Sequence, residues 1–205
     1  MPIKLGTNAL VEQWLVRLRD VNTPPADFRE TVGLVTFPLT LAALADLETE
    51  ECSVATPLTL TSGQRITAKV AIAVILRAGL GMAETIQYLL PEVSVHHIDM
   101  HRDEKTLQPI WGRYNLPNDC SGRVWLIPDP MLATGGSALA VIEKLKSRGG
   151  VDIRVMCIFA APEGIAALRE FHPDVHIYTA AIDERLTTKA DDFPPGYIWP
   201  GCGDA

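Results

Sequence analysis

Residues 124–137 read Val124-Trp125-Leu126-Ile127-Pro128-Asp129-Pro130-Met131-Leu132-Ala133-Thr134-Gly135-Gly136-Ser137. The apolar run Val124–Ile127 is a strand that stops at an acid and opens into a Gly-Gly turn. The stretch from Ala138 to Lys146 then continues as helix. A turn feeding a helix N-terminus supplies converging N–H donors and the positive end of the helix dipole, and a phosphate needs both. Gly135 and Gly136 let the backbone approach closely. Thr134 and Ser137 add hydroxyls, and Asp129 stands where the hydroxyls of a ribose would seek an acceptor. The segment is not a Walker loop, because Ser137-Ala138 follow the second glycine where Lys-Ser/Thr would be required. Taken alone, Gly-Gly followed by a Ser N-cap is also common turn chemistry.

Further apolar, β-branched runs flank this segment: Val70–Leu76, Val93–Ile98, Ile153–Phe159 and His176–Ile182. Most are continuous rather than alternating, the pattern of strands buried on both faces of a parallel sheet. Helical patterns separate them at Gly81–Leu90, Ser137–Ser147 and Glu163–Phe171, the last preceded by Pro162 at its first turn. The expected fold is therefore α/β: an open, mostly parallel sheet flanked by helices. Ahead of it lies a helical N-terminal segment, Asn8–Asp20 and Asp27–Glu48, broken at Asn22-Thr23-Pro24-Pro25. A β-hairpin arm is expected at about 51–67, turning around Thr61-Ser62-Gly63-Gln64. Ligands of such sheets bind beyond the carboxyl ends of the strands. Arg77, Asp99 to Asp103, Asp129 onward and Asp183 are thus expected on one rim.

The chain of 205 residues is expected to form a single domain over 1–205. Its formal net charge of −7 argues against a sequence-independent nucleic-acid binder. Four scattered cysteines, Cys52, Cys120, Cys157 and Cys202, lack C-x-x-C spacing, which disfavours a zinc site and fits a reducing cytoplasm. The N-terminus carries no apolar signal-peptide core. No stretch reaches the roughly 18 apolar residues of a membrane span.

Three more segments carry chemistry. Ile75-Leu76-Arg77-Ala78-Gly79-Leu80-Gly81-Met82 closes the first core strand with an arginine and a Gly-x-Gly turn. With Asp99 about 20 residues on, it matches part of a dinucleotide fingerprint, but Glu84 occupies the third glycine position. The same turn suits pyrophosphate, with Arg77 supplying charge. His101-Arg102-Asp103-Glu104-Lys105-Thr106-Leu107 reads by composition as a solvated charged loop. Gly196-Tyr197-Ile198-Trp199-Pro200-Gly201-Cys202-Gly203-Asp204-Ala205 reads as a Gly/Pro-rich terminal loop, within a hood segment at about 184–205.

Together these segments resemble the uracil phosphoribosyltransferases, a family of type I phosphoribosyltransferases. DPMLATGGS is similar to the family's phosphoribosyl diphosphate (PRPP) motif, ILRAGLGM to its pyrophosphate turn, and the terminal loop to its base loop. Shorter matches include Leu18-Arg19-Asp20, Ala160-Ala161-Pro162-Glu163-Gly164 and Ile182-Asp183. Departures are His101 for a tyrosine, Lys105 where an acid is frequent, Val74 for a proline, Trp199 for a small aliphatic and Cys202 for a leucine.

The resemblance implies transfer of phosphoribose from PRPP to uracil, giving UMP and diphosphate, with Mg²⁺ accompanying the diphosphate. It assigns PRPP to Arg77, Arg102, Asp129, Pro130, Met131, Leu132, Ala133, Thr134, Gly135, Gly136, Ser137 and Asp204. Asp129, Arg77 and Arg102 are the catalytic candidates. Uracil falls to Ile198, Gly203, Asp204 and Ala205. Uracil's O2, N3–H and O4 edge alternates acceptor, donor and acceptor, and a backbone loop presenting N–H, C=O and N–H reads it. The resemblance also implies a homodimer or higher homo-oligomer and a nucleotide effector such as GTP, with no nucleic-acid or membrane partner. Alternatives from the residues are a PRPP-binding regulator with little transferase activity, a phosphoribosyltransferase for another nucleobase, and an NAD-dependent enzyme.

Overall fold

A computed structural model describes residues 2–6, 8–102 and 109–202, the side chains of residues 102 and 109 excepted. A short strand β1 (Ile3–Lys4) leads to α1 (Ala9–Arg19). The Asn8 side chain caps α1, accepting from the N–H of Leu10 at 2.9 Å and of Val11 at 3.4 Å. Next, α2 (Pro25–Ala43) starts with proline in its first turn, where a missing N–H leaves no bond unmade. It ends five residues earlier than the pattern predicted, at Ala43 instead of Glu48. The reason is tertiary. The buried Arg154 guanidinium takes the Ala43 carbonyl at 2.5 Å and also pairs with Asp46 and Asp152. A helix C-terminus is thereby supplied with a donor from elsewhere in the chain.

The hairpin is β2 (Thr49–Ala55) and β3 (Leu60–Ile66), an isolated antiparallel pair. Its turn is Thr56–Thr59, not Thr61–Gln64, whose residues pair within β3. The Thr56 N–H and hydroxyl both donate to the Thr59 carbonyl, at 2.9 and 2.8 Å, and Pro57 stands inside the turn. Gly63 is tolerated in the strand because this two-stranded ribbon packs no core.

The core sheet begins with β4 (Val70–Leu76), buried along its middle, followed by α3 (Leu80–Leu89), β5 (Ser94–Arg102) and β6 (Pro109–Tyr114). β6 is absent from the sequence expectation, and β5 runs farther than expected. Pro109, Gly112 and Arg113 interrupt any apolar run, yet β6 pairs antiparallel with β5 as an edge strand (Met100 with Trp111, Arg102 with Pro109). An edge strand is solvated on one side and need not be apolar. His101 and Arg102, expected in a loop, therefore end β5.

The chain continues through β7 (Val124–Pro128), β8 (Met131–Leu132), α4 (Gly136–Lys146), β9 (Asp152–Ala160), α5 (Pro162–Phe171), β10 (His176–Ile182), β11 (Arg185–Leu186) and β12 (Ile198–Trp199). The main sheet runs β1-β10-β9-β7-β4-β5-β6, parallel except for β6, with β8 added beside β9. One apolar cluster joins α1, α2 and α3 to one face; the other joins α4 and α5 to the opposite face. From β4 the chain moves outward to β5 and β6. From β7 it moves the other way, to β9 and β10. The switch point lies between β4 and β7, and ligand crevices open at such points beyond the strand ends. Among the described residues no helix is long and apolar enough to cross a membrane.

Candidate active site

The loops after β4 and β7 meet at that switch point. After β4, the Leu76–Arg77 peptide is cis and Arg77 is exposed. The Gly79 N–H donates to Ile75 at 3.0 Å and the Leu80 N–H to Arg77 at 3.1 Å, so both close the turn. Gly79 is required for a packing reason. A Cβ there would lie 2.5 Å from the Pro128 carbonyl oxygen, the last residue of β7. Gly79 of the first turn therefore packs against the backbone of Pro128, the residue immediately before Asp129. Gly81, the other glycine of the turn, lies inside α3 against Val32.

Asp129 follows β7 and is half-buried; its N–H donates to Met156 at 2.9 Å, and its Oδ1 accepts from Met131 at 3.4 Å. The Pro130 carbonyl accepts from Ile158 and Phe159, each at 3.0 Å, and Met131–Leu132 form β8 against β9. The backbone of Pro130, Met131 and Leu132 is thus engaged in the sheet. These residues brace the loop that leads into α4. Ala133 is buried, and Thr134 is half-buried with its Oγ1 accepting from Gly136 at 3.5 Å. Gly135, not Ser137, is the N-cap of α4, with φ +81°, a conformation side-chain-bearing residues avoid. The first N–H groups of α4 have no intrahelical acceptor and carry the positive end of its dipole.

The loop is held from behind by α5. A Cβ on Gly164 would lie 2.3 Å from the Ala133 carbonyl, and one on Gly135 would lie 2.7 Å from Leu168 Cδ1. Gly164 was legible only as part of a matching run; its contact explains it. Under the loop, complete burial pushes the Cys157 thiol up to about 12, so it stays a neutral packing group.

The terminal segment folds back over the same rim. β11 and β12 pair antiparallel (Arg185 with Trp199, Leu186 with Ile198), and Glu163 of α5 accepts from the Leu186 N–H at 3.0 Å. Ile198 is buried, while Trp199 is partly exposed between Phe193 and the Arg185 guanidinium. Burial also pushes the Cys202 thiol up to about 12. The sequence did not reveal what anchors this segment. Arg19, the last residue of α1, makes a bidentate pair with Asp183 at 2.9 and 2.5 Å and donates to the Gly201 carbonyl at 2.7 Å. Asp183 in turn accepts from the Gly201 N–H at 2.9 Å.

Arg77, Asp129 and Ala133–Gly135 thus belong to the loops that follow β4 and β7, Gly136 and Ser137 open α4, and Ile198 lies in β12. The Arg102 side chain, Lys105, Gly203, Asp204 and Ala205 lie outside the described residues, so their expected roles have no structural counterpart here. Asp99 sits on β5 with its carboxylate against Gly112, where a Cβ would lie 2.1 Å from Oδ2. Among the described residues no group of three or more His, Cys, Asp and Glu is placed to hold a metal ion.

An open, mostly parallel sheet flanked by helices, with a Gly-Gly turn opening α4 and an arginine turn at the switch point, is the type I phosphoribosyltransferase fold. The solved structure of an APRTase from Giardia lamblia complexed with 9-deazaadenine shares this fold, with a TM-score of 0.51 at 13% identity over 78% of this chain and 85% of that one. The AQ2163 protein of Aquifex aeolicus superposes far more fully, with a TM-score of 0.90 at 30% identity over 100% of this chain and 95% of that chain. A uracil phosphoribosyltransferase of Dictyoglomus thermophilum is 47% identical over 96% of this chain and 92% of its own. The uracil phosphoribosyltransferase family model matches residues 5–205. The chain belongs to the uracil phosphoribosyltransferase family.

Proposed function

We propose that this chain transfers the phosphoribosyl group of PRPP to N1 of uracil, releasing diphosphate and forming UMP. The observation that carries the proposal is the Asp129–Ser137 loop, seated on the N-terminus of α4, with Pro128 just ahead of it packed against Gly79 of the Arg77 turn. Family membership supports the choice of base. The bond from C1′ to the diphosphate oxygen breaks, the bond from N1 to C1′ forms, and the N1 proton passes to solvent.

In this scheme the 5′-phosphate lies on Ala133–Ser137, where the free N–H groups of α4 and its dipole meet it. Asp129 binds the ribose hydroxyls and stabilises positive charge developing at C1′. Arg77 and Arg102 hold the diphosphate as its charge grows, the interaction that most lowers the barrier. Asp204 faces PRPP. Ile198, Gly203, Asp204 and Ala205 hold uracil and keep N1 facing C1′, so that positioning does much of the catalysis. Mg²⁺ enters with PRPP and neutralises part of the diphosphate charge. Cytosine is rejected because its N3 lacks a proton and its 4-position donates, leaving polar groups of the loop unpaired.

The same proposal takes the chain as one domain, 1–205, acting in the cytoplasm as a homodimer or higher homo-oligomer with the hairpin as an arm, and GTP as its effector. The test is incubation with PRPP, Mg²⁺ and each nucleobase in turn, following nucleotide and diphosphate. UMP from uracil alone is expected. PRPP binding without any nucleotide product would overturn the transferase assignment. Product from a different base would overturn the choice of uracil.

A further inference from the structure

We infer that Arg19 and Asp183 are positioning residues that hold the base loop in its reading conformation. The inference rests on the proposal that Tyr197–Ala205 reads uracil. A loop that recognises a base through its own N–H and C=O groups has no side chain to fix those groups, so its anchor must come from outside. Gly201 lies between Ile198 and Gly203, two of the residues proposed to contact uracil. Both of its polar backbone groups are held by one ion pair: Asp183 Oδ2 accepts from its N–H at 2.9 Å, and Arg19 Nη1 donates to its carbonyl at 2.7 Å.

The pair is rigid at both ends. The Asp183 side chain is only 3% exposed, and both its oxygens are engaged by the guanidinium. Bidentate charge-assisted pairing fixes orientation as well as distance. The guanidinium also stacks over the Phe159 ring at 4.3 Å, and Phe159 pairs with Met131 of the PRPP loop. Gly201 itself sits at φ +61°, and a Cβ there would lie 2.3 Å from the Ile198 carbonyl oxygen. Thus the last residue of α1 and the first residue after β10, far apart in sequence, set the path of the loop between its contact residues. A lysine cannot replace Arg19 fully, because one ammonium does not span Asp183 in bidentate fashion and reach Gly201 as well.

The test uses the full-length chain with Arg19→Gln, Arg19→Lys, Asp183→Asn and Gly201→Ala, measuring KM for uracil, KM for PRPP and melting temperature. Arg19→Gln is expected to raise the uracil KM by about 10–100-fold, as sub-ångström to ångström misplacement of a positioning group does. The PRPP KM should stay within about twofold, with Arg19→Lys intermediate. If Arg19→Gln or Asp183→Asn does not accumulate as folded protein, Arg19→Lys carries the same comparison. Lower stability with an unchanged uracil KM would overturn the inference and leave a structural pair. Gly201→Ala separates the two levels. If it raises the uracil KM while the Arg19 variants do not, the anchoring role fails and the base loop stands. If it too leaves the uracil KM unchanged, the loop does not read the base and the inference falls with it.

Discussion

Gly79→Ala is the sharpest test of how the loops after β4 and β7 are built. Gly79 has φ −70°, an ordinary right-handed conformation that alanine adopts freely. Considered only as backbone, the change should stabilise the protein by about 0.4–1 kcal/mol, because alanine restricts the unfolded chain. Packing reverses the sign. The new Cβ would lie 2.5 Å from the Pro128 carbonyl oxygen, 3.1 Å from the Ile75 carbonyl oxygen and 3.2 Å from Val74 Cγ1. Two of these three neighbours are backbone and cannot rotate away. A carbon–oxygen contact settles at about 3.3–3.6 Å, so the loops after β4 and β7 must part by roughly 1 Å. Overpacking of this kind costs about 1–3 kcal/mol, which for a chain of this size lowers Tm by roughly 2–12 °C. The same displacement moves Arg77 relative to Asp129, and about a 1 Å error in such a site costs up to roughly 100-fold in rate. Differential scanning fluorimetry and UMP formation against varied PRPP measure both effects. Gly81→Ala is the control: its Cβ would meet only Val32 Cγ1, at 3.4 Å, and alanine inside a helix gains about 0.5–1 kcal/mol. A Gly79→Ala protein that melts at or above the wild-type temperature with unchanged kcat/KM for PRPP would refute the contact between the loops.

Two further outcomes follow from the site and its surroundings. Asp129→Asn should lower kcat by about 10²-fold or more, the scale of losing a preorganised transition-state group, with Tm nearly unchanged; wild-type turnover would remove Asp129 from catalysis. At the end of α5, burial and the neighbouring Lys146 ammonium hold the His172 imidazole below its usual range, with Asp174 and Glu143 opposing. Between that lowered value and the ordinary one near 6.5 the unfolded chain binds more protons than the folded chain, so stability rises with pH there. Asp174, held below the usual carboxylate range chiefly by its hydrogen bond to Lys146, contributes stability that is lost only at lower pH. Melting curves from pH 7 to 5 should therefore fall, and His172→Gln should flatten them; parallel curves for the two proteins would dismiss His172 as the cause.

The sequence by itself determined the parallel core and the identity of its loops. Val70–Leu76, Val124–Ile127 and Ile153–Phe159 are continuous apolar runs, and only strands covered on both faces can be that apolar. Their loops carry Gly-Gly and Arg-x-Gly chemistry at fixed offsets, which is local and so legible in one dimension. β6 was not legible because an edge strand is solvated and its pairing with β5 leaves no apolar signature. The hairpin turn was misplaced because Ser62-Gly63 has turn composition, whereas the hydroxyl and backbone bonds of Thr56 decided where the chain reversed.

What only the tertiary structure decided is which glycines matter and what holds the terminal loop. Gly79 and Gly164 are required by carbonyl oxygens of other loops, at Pro128 and Ala133. Arg19 and Asp183 meet 164 residues apart in the chain to hold Gly201. Local pattern reports a residue's own conformation and the face it buries. Steric exclusion by a distant carbonyl, or an ion pair closed across the fold, exists only once the strands are ordered in space.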